Sequence, residues 1–180
     1  MRAVFLDRDG VINRKPPEGE YVRAWAEFEL LKGAAPAIRV LKEMGFLVLV
    51  VTNQRGVARG VMTRENVEDV HRRMRAELAR RGACLDGVYY CPHEDGQCGC
   101  RKPEVGLFLQ AREDHPEISF QDSFVIGDSW RDMEAGRRLG CRNILIGGPV
   151  ASGTDTALLV GVAPSLRTAV RRYVVPAHAL

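Results

Sequence analysis

Val4-Phe5-Leu6-Asp7-Arg8-Asp9-Gly10 is the stretch that decides how this chain is read. Three apolar residues run into two carboxylates at spacing i, i+2, and then into a glycine. A short apolar run bounded by a turn residue predicts a buried parallel strand. That strand delivers Asp7 and Asp9 to the carboxyl edge of a sheet, where ligands of open α/β sheets bind. Two like charges so close repel each other, so the natural partner is a cation, or an anionic substrate held by one. Asp and Gly are also ordinary turn residues, and what the chain brings to the same edge decides between the readings.

Outward from this stretch, residues 11 to 27 lack a clean period and carry Pro16, Pro17 and Gly19, which predicts a long loop or flap. Glu27 to Leu31 reads as a short strand. Ala34 to Met44 repeats its apolar positions at helical spacing, with Gly45 as the stop. Phe46 to Val51 is a second buried strand, tipped by Thr52-Asn53-Gln54. Residues 55 to 62 read as a glycine-punctuated loop, and Thr63 caps a helix to about Arg81. Asp86 to Tyr90 is a third strand and Glu104 to Glu113 a helix. Ser123 to Ile126 is a fourth strand, again ending on a carboxylate in Gly127-Asp128-Ser129-Trp130-Arg131-Asp132. A helix over 131 to 139, strands at 143 to 146 and near 158 to 160, and a helix from Ser165 to Tyr173 complete the chain. Strands alternating with helices imply an α/β, doubly wound parallel sheet.

The 180 residues fit one domain, 1 to 180, with an ordinary core. A hydrophobic fraction of 46%, a charged fraction of 27% and a net charge of +3 are those of a globular protein without a dedicated nucleic-acid surface. No early segment approaches the roughly 18 apolar residues of a membrane span, and no signal peptide precedes the first strand. The expectation is a cytoplasmic protein with neither nucleic-acid nor membrane partners; the oligomeric state is left open, a monomer included.

Four polar clusters then sit just after predicted strands: Asp7/Asp9, Thr52/Asn53, Arg101/Lys102 one short loop further on, and Asp128/Asp132. In a parallel sheet those ends share one edge. Asp7 and Asp128 can hold a hard divalent ion such as Mg²⁺, which prefers oxygen ligands. Asp7 can then attack phosphorus, and Asp9 can protonate the leaving alkoxide and later activate water. Thr52 and Asn53 offer donors to phosphoryl oxygens, and Lys102 offers positive charge to the transition state. These are the parts of a phosphomonoesterase.

Cys91-x-His93-x₄-Cys98-x-Cys100 supplies four soft ligands within ten residues. Three cysteines and one histidine form a closed set for structural Zn²⁺. Arg101 and Lys102 follow the last ligand, so the metal loop, 91 to 100, is expected to aim both cations at the substrate. Cys84 and Cys141 are left over as small core residues.

The segments DRDG, VTNQ, RKP and GDSWRD resemble the four motifs of the haloacid dehalogenase (HAD) superfamily. The resemblance implies that Asp7 is the nucleophile, Asp9 the acid/base, Thr52 the phosphate binder and Lys102 the third-motif lysine. It further implies Mg²⁺ ligation by Asp7, Asp128 and the main-chain carbonyl of Asp9, with Asp132 in support. The CxH…CxC insert before RKP resembles the heptose 1,7-bisphosphate 7-phosphatases and the related histidinol-phosphate phosphatases. FLDRDGVIN, VTNQRGVARG and DGVYYCPH lean to the heptose branch, although Ser129 stands where those enzymes often carry a lysine. Forty-five residues separate Asp7 from Thr52 and fifty separate Thr52 from Lys102, too few for a folded cap. Arg14, Lys15, Arg55, Arg59 and above all Arg101 are therefore candidates to meet the second phosphate of a sugar bisphosphate. The readings left open are a heptose-bisphosphate phosphatase, a histidinol-phosphate phosphatase, and an inactive zinc-stabilised binding protein.

Overall fold

The computed structural model describes residues 1–149 and 156–178. Its spine is a parallel sheet of six strands: β1 (Ala3–Leu6), β2 (Leu47–Asn53), β3 (Gly87–Cys91), β4 (Phe124–Gly127), β5 (Arg142–Ile146) and β6 (Leu159–Ala163). The order across the sheet is β3-β2-β1-β4-β5-β6. The chain winds outward from β1 to one side and then restarts at β4 on the other, which makes the gap between β1 and β4 the topological switch point.

The inner strands β1, β2, β4 and β5 are buried on both sides because helices cover both faces. Side chains alternate accordingly. Val4, Leu6, Val48, Val50, Ile126 and Ile144 join one core, into which α1 (Ala34–Glu43) and α2 (Arg64–Arg80) pack. The same core takes the C-terminal helical stretch, made of α5 (Leu166–Ala169), a π-helical turn (Val170–Val174) and α6 (Val175–His178). Phe5, Leu49, Val51 and Val125 face the other core, with residues of α3 (Gly106–Asp114) and α4 (Trp130–Leu139). The arrangement is the doubly wound α/β sheet expected.

Local chemistry explains the element ends. Thr63 accepts from the Asn66 N–H while Asn66 returns a bond to the Thr63 N–H, starting α2 with a reciprocal cap. Gly45 closes the α1 turn in the left-handed region, at φ 78°. Residues 27 to 31 differ from expectation. Instead of a strand there is a single 3₁₀ turn at Trp25–Glu27 and one isolated bridge from Leu30 to Asn13. The apolar residues there serve packing, Trp25 stacking on Phe28 at 4.8 Å. Cys84 also departs from expectation, being exposed, whereas Cys141 is buried as anticipated.

Register puts the polar tips level. Leu6 pairs with Val50 on one side and with Ile126 on the other. Asp7, Thr52 and Asp128 therefore emerge together at the carboxyl edge. Beneath them Phe5 meets the edge of Phe108 from α3 at 5.0 Å, both rings being buried. Phe108→Ala is expected to lower the unfolding free energy by about 3–5 kcal/mol, since it empties a well-packed core site. Urea denaturation measures this, and a loss below about 1 kcal/mol would mean that the ring pair does not anchor the helix.

Candidate active site

The edge above β1, β2 and β4 opens into a cleft of about 490 Å³, lined among others by Asp7, Asp9, Asn53, Lys102 and Asp128. Asp7 follows β1 directly, and its N–H donates to the Ile126 carbonyl at 3.0 Å, which extends the β1/β4 ladder by one residue. At its side chain, Lys102 Nζ donates to Asp7 Oδ1 at 2.9 Å, to Asp132 Oδ1 at 2.6 Å and to the Val51 carbonyl at 2.6 Å. Three acceptors thus saturate one buried ammonium. Burial alone would lower the Lys102 pKa, but Asp132 and Asp7 hold it above the usual lysine value.

The two aspartates of the opening motif occupy opposite environments. Burial pushes the Asp7 carboxyl up to about 7; Lys102 opposes the rise, and the carboxylates of Asp132, Asp128 and Asp9 add to it. Asp9 is also penalised by burial, but Arg8 and bonds from Asn13 and Gln54 outweigh that and lower its pKa. Asn13 Nδ2 donates to Asp9 Oδ1 at 2.8 Å and Gln54 Nε2 to Asp9 Oδ2 at 3.0 Å. Gln54 Nε2 also donates to Thr52 Oγ1 at 3.0 Å, and among the described residues no acceptor takes the threonine hydroxyl hydrogen.

Two glycines make room for the carboxylates. Gly10 has φ +84°, and a Cβ there would meet Asp128 Oδ2 at 2.1 Å. A Cβ on Gly127 would meet the Asp132 carboxyl carbon at 2.2 Å. Asp132 can therefore lie against the end of β4. Its Oδ2 accepts from the N–H and hydroxyl of Ser129 at 3.1 and 2.5 Å, while its Oδ1 takes Lys102. Both of its oxygens are committed inside the protein.

Asn53 uses its side-chain amide on the Lys102 main chain, donating to the carbonyl and accepting from the N–H, each at 3.0 Å. Arg101 lines the cleft and is paired with Asp95 of the cysteine loop. Lys15 reaches in from the flap to Asp128 Oδ2 at 2.8 Å. Arg55 also lines the cleft and contacts Glu94 at 3.4 Å. Arg14 and Arg59 bind Glu29 and Glu94 at 3.2 and 2.7 Å, outside the cleft lining.

A family model described as HAD-hyrolase-like matches residues 99–171. The D-glycero-alpha-D-manno-heptose-1,7-bisphosphate 7-phosphatase of Mycobacterium bovis is 42% identical over 160 residues, which are 86% of this chain and 84% of the relative. The D-glycero-beta-D-manno-heptose-1,7-bisphosphate 7-phosphatase of Escherichia coli K12 is 44% identical over 141 residues, 74% and 72% of the two chains. A crystal structure of the D,D-heptose 1,7-bisphosphate phosphatase of B. bronchiseptica, complexed with magnesium and phosphate, superposes with a TM-score of 0.84 at 28% identity, covering 98% and 99% of the two chains. The chain belongs to this family of HAD phosphatases.

HAD phosphatases use Mg²⁺, and the donor set here fits a hard dication. Asp7, Asp128 and Asp132 bring carboxylate oxygens within 4.8 Å of one another. The Lys15 ammonium resting on Asp128 shows that the outer carboxylate attracts a cation. Burial raises the Asp128 pKa, with Lys15 opposing the rise, as expected for a crowded anionic cluster.

The cysteine loop is equally compact. Cys91 Sγ lies 3.5 Å from Cys98 Sγ and 3.2 Å from Cys100 Sγ, and His93 Nδ1 is 3.6 Å from Cys91 Sγ. Tetrahedral Zn–S bonds of about 2.3 Å give ligand separations of about 3.7 Å, so four donors converge at a suitable spacing.

The residues that sequence reasoning missed are Arg8, Gln54 and Asn13 around Asp9, and Arg131 on the cleft wall. Arg8, Asn13 and Gln54 are all buried beyond the strand tips, and no local sequence pattern marks a buried polar residue there. Lys102→Met removes the ammonium between Asp7 and Asp132. It is expected to destabilise the magnesium-free protein by about 3–5 kcal/mol, the magnitude of a broken buried pair. Denaturant unfolding in EDTA measures it, and unchanged stability would show that the carboxylates do not depend on Lys102.

Proposed function

We propose that this HAD phosphatase hydrolyses the 7-phosphate of D-glycero-D-manno-heptose 1,7-bisphosphate through an aspartyl phosphate on Asp7. The observation that carries the reading is the division between the two aspartates: Asp7 is paired with Lys102 at the cleft floor, and Asp9 is held by donors beside it. The substrate choice is supported by relatives at 42% and 44% identity named for that reaction.

In this reading an Asp7 oxygen attacks phosphorus, forming the acyl phosphate while the bond to the sugar oxygen breaks. The anionic phosphate entering beside Asp9 favours its protonated form; Asp9 gives that proton to the sugar oxygen, then takes one from the water that attacks the acyl phosphate, releasing inorganic phosphate and restoring Asp7. The Thr52 hydroxyl hydrogen binds a phosphoryl oxygen, and the Lys102 ammonium, kept on Asp7, Asp132 and the Val51 carbonyl, adds its positive charge to the transition state from beside Asp7, with Asn53 holding its main chain in place. Asp7, Asp128 and the Asp9 carbonyl would hold Mg²⁺, whose charge would further stabilise the phosphoryl group. Asp132 supports Lys102 rather than the ion. Arg101, at the cleft wall, takes the second phosphate of the substrate.

Zn²⁺ on Cys91, His93, Cys98 and Cys100 fixes the loop that carries Arg101 and Lys102. The whole chain acts as one capless domain, and three thiols held for a metal suit the reducing cytoplasm. No helix among the described residues is long and apolar enough to cross a membrane.

Phosphate release from both anomers of heptose 1,7-bisphosphate, beside histidinol phosphate, tests the proposal. A heptose preference is expected, and more than tenfold preference for histidinol phosphate, about 1.4 kcal/mol, would replace it. Asp7→Asn should abolish turnover with the fold retained. Cys98→Ser should lose bound zinc and lower the melting temperature; wild-type protein without zinc by metal analysis would remove that role.

A further inference from the structure

A buried polar chain runs behind Asp9 that the phosphoryl chemistry does not itself use. Arg8 stands between the two aspartates in sequence, yet its side chain is fully buried. Its Nη2 donates to Asp9 Oδ1 at 3.0 Å, to Asp9 Oδ2 at 3.1 Å and to Gln54 Oε1 at 3.2 Å. Its Nε reaches Asp9 Oδ1 at 3.3 Å. On the far side Nη1 donates to Nε2 of His71, a buried residue of α2, at 3.1 Å. Burial, helped by the Arg8 charge, lowers the His71 pKa to about 3, so the ring is neutral and its Nε2 is an acceptor. The Tyr90 ring backs the imidazole edge-on at 5.6 Å.

A buried guanidinium is costly unless its fork is filled. Here His71, Gln54 and Asp9 fill it, and Asp9 is the carboxylate bonded to Arg8 among the described residues. With Arg8, Asn13 and Gln54 on its two oxygens, Asp9 has one accessible edge left, 21% of its side chain, and that edge lies in the cleft. The orientation of the carboxylate is thus set from behind, by a residue on a helix outside the cleft lining.

We propose that Arg8 is a positioning residue for Asp9 and that His71 holds Arg8 in place, so that the chain His71–Arg8–Asp9 aims the acid/base carboxylate at the leaving oxygen. The inference rests on the reading of Asp9 as the donor of the leaving-group proton and says what aims it.

Leaving-group dependence separates aiming from general structural support. A sugar leaves as an alkoxide that needs a proton, whereas p-nitrophenolate departs as a stable anion. The ratio kcat/KM reports the steps through leaving-group departure, so the later attack of water does not enter. His71→Leu is expected to lower kcat/KM for heptose 1,7-bisphosphate about 10- to 100-fold and that for p-nitrophenyl phosphate less than about threefold. His71→Gln, whose side-chain carbonyl still accepts from Arg8, should recover most of the loss. Arg8→Lys keeps the charge without the fork and should show the same selective loss, so that pair carries the test if His71→Leu does not fold. Equal losses on both substrates, or none, overturn the proposal. If Asp9→Asn discriminates between the substrates and the His71 and Arg8 variants do not, the positioning chain alone falls. If Asp9→Asn does not discriminate either, the reading of Asp9 falls and takes this one with it.

Discussion

One ammonium group organises the site. Lys102 Nζ binds Asp7, Asp132 and the Val51 carbonyl at once, and it is almost fully buried. A charge in that position is tolerable only with all three acceptors in place, so the tips of β1, β2 and β4 must keep their register. The requirement propagates outward. Asp132 reaches Lys102 because Gly127 carries no side chain, and Ser129 holds its other oxygen. The main chain of Lys102 is clamped by Asn53, and the lysine follows directly on the cysteine loop. The loop, two glycines and three strand ends form one mutually dependent assembly, as preorganised electrostatic sites require.

Much of this was legible in the sequence, for physical reasons. Val4 to Leu6 and Phe46 to Val51 are apolar throughout because both sheet faces are covered, and their polar tips announce the carboxyl edge. Cysteine and histidine at short spacing have few other uses. Legibility failed where a residue's partner is remote or where apolarity serves something other than a strand. Phe28, Leu30 and Leu31 are apolar for packing against the core, and a local pattern cannot distinguish that from a strand. Cys84 lies between the buried Ala83 and Leu85 yet points outward. Arg8 reads as a spacer in the motif, because its partner His71 is 63 residues away on α2. Asn53 reads as a ligand for phosphate, while its side chain in fact grips the main chain of Lys102.

The cleft walls carry most of the open chemistry. Arg55, Arg101 and Arg131 each approach Asp95 or Glu94 of the cysteine loop, and those acidic residues are partly exposed. The pairs of Arg55 and Arg131 are partly exposed and weak, which lets an incoming anion compete for those guanidinium groups, whereas the Arg101 side chain is buried against its partner. Relatives named for the alpha and the beta anomer share 42% and 44% identity with this chain, so overall identity does not separate the two anomers.

The central claim is that Asp7 becomes covalently phosphorylated. Rapid acid quench after mixing enzyme, Mg²⁺ and heptose bisphosphate labelled at the 7-phosphate, followed by peptide mapping, measures it directly. The account predicts label on the peptide containing Asp7 that is absent in Asp7→Asn. Phosphate release in the first turnover with no labelled peptide, or with label elsewhere in the chain, would contradict it.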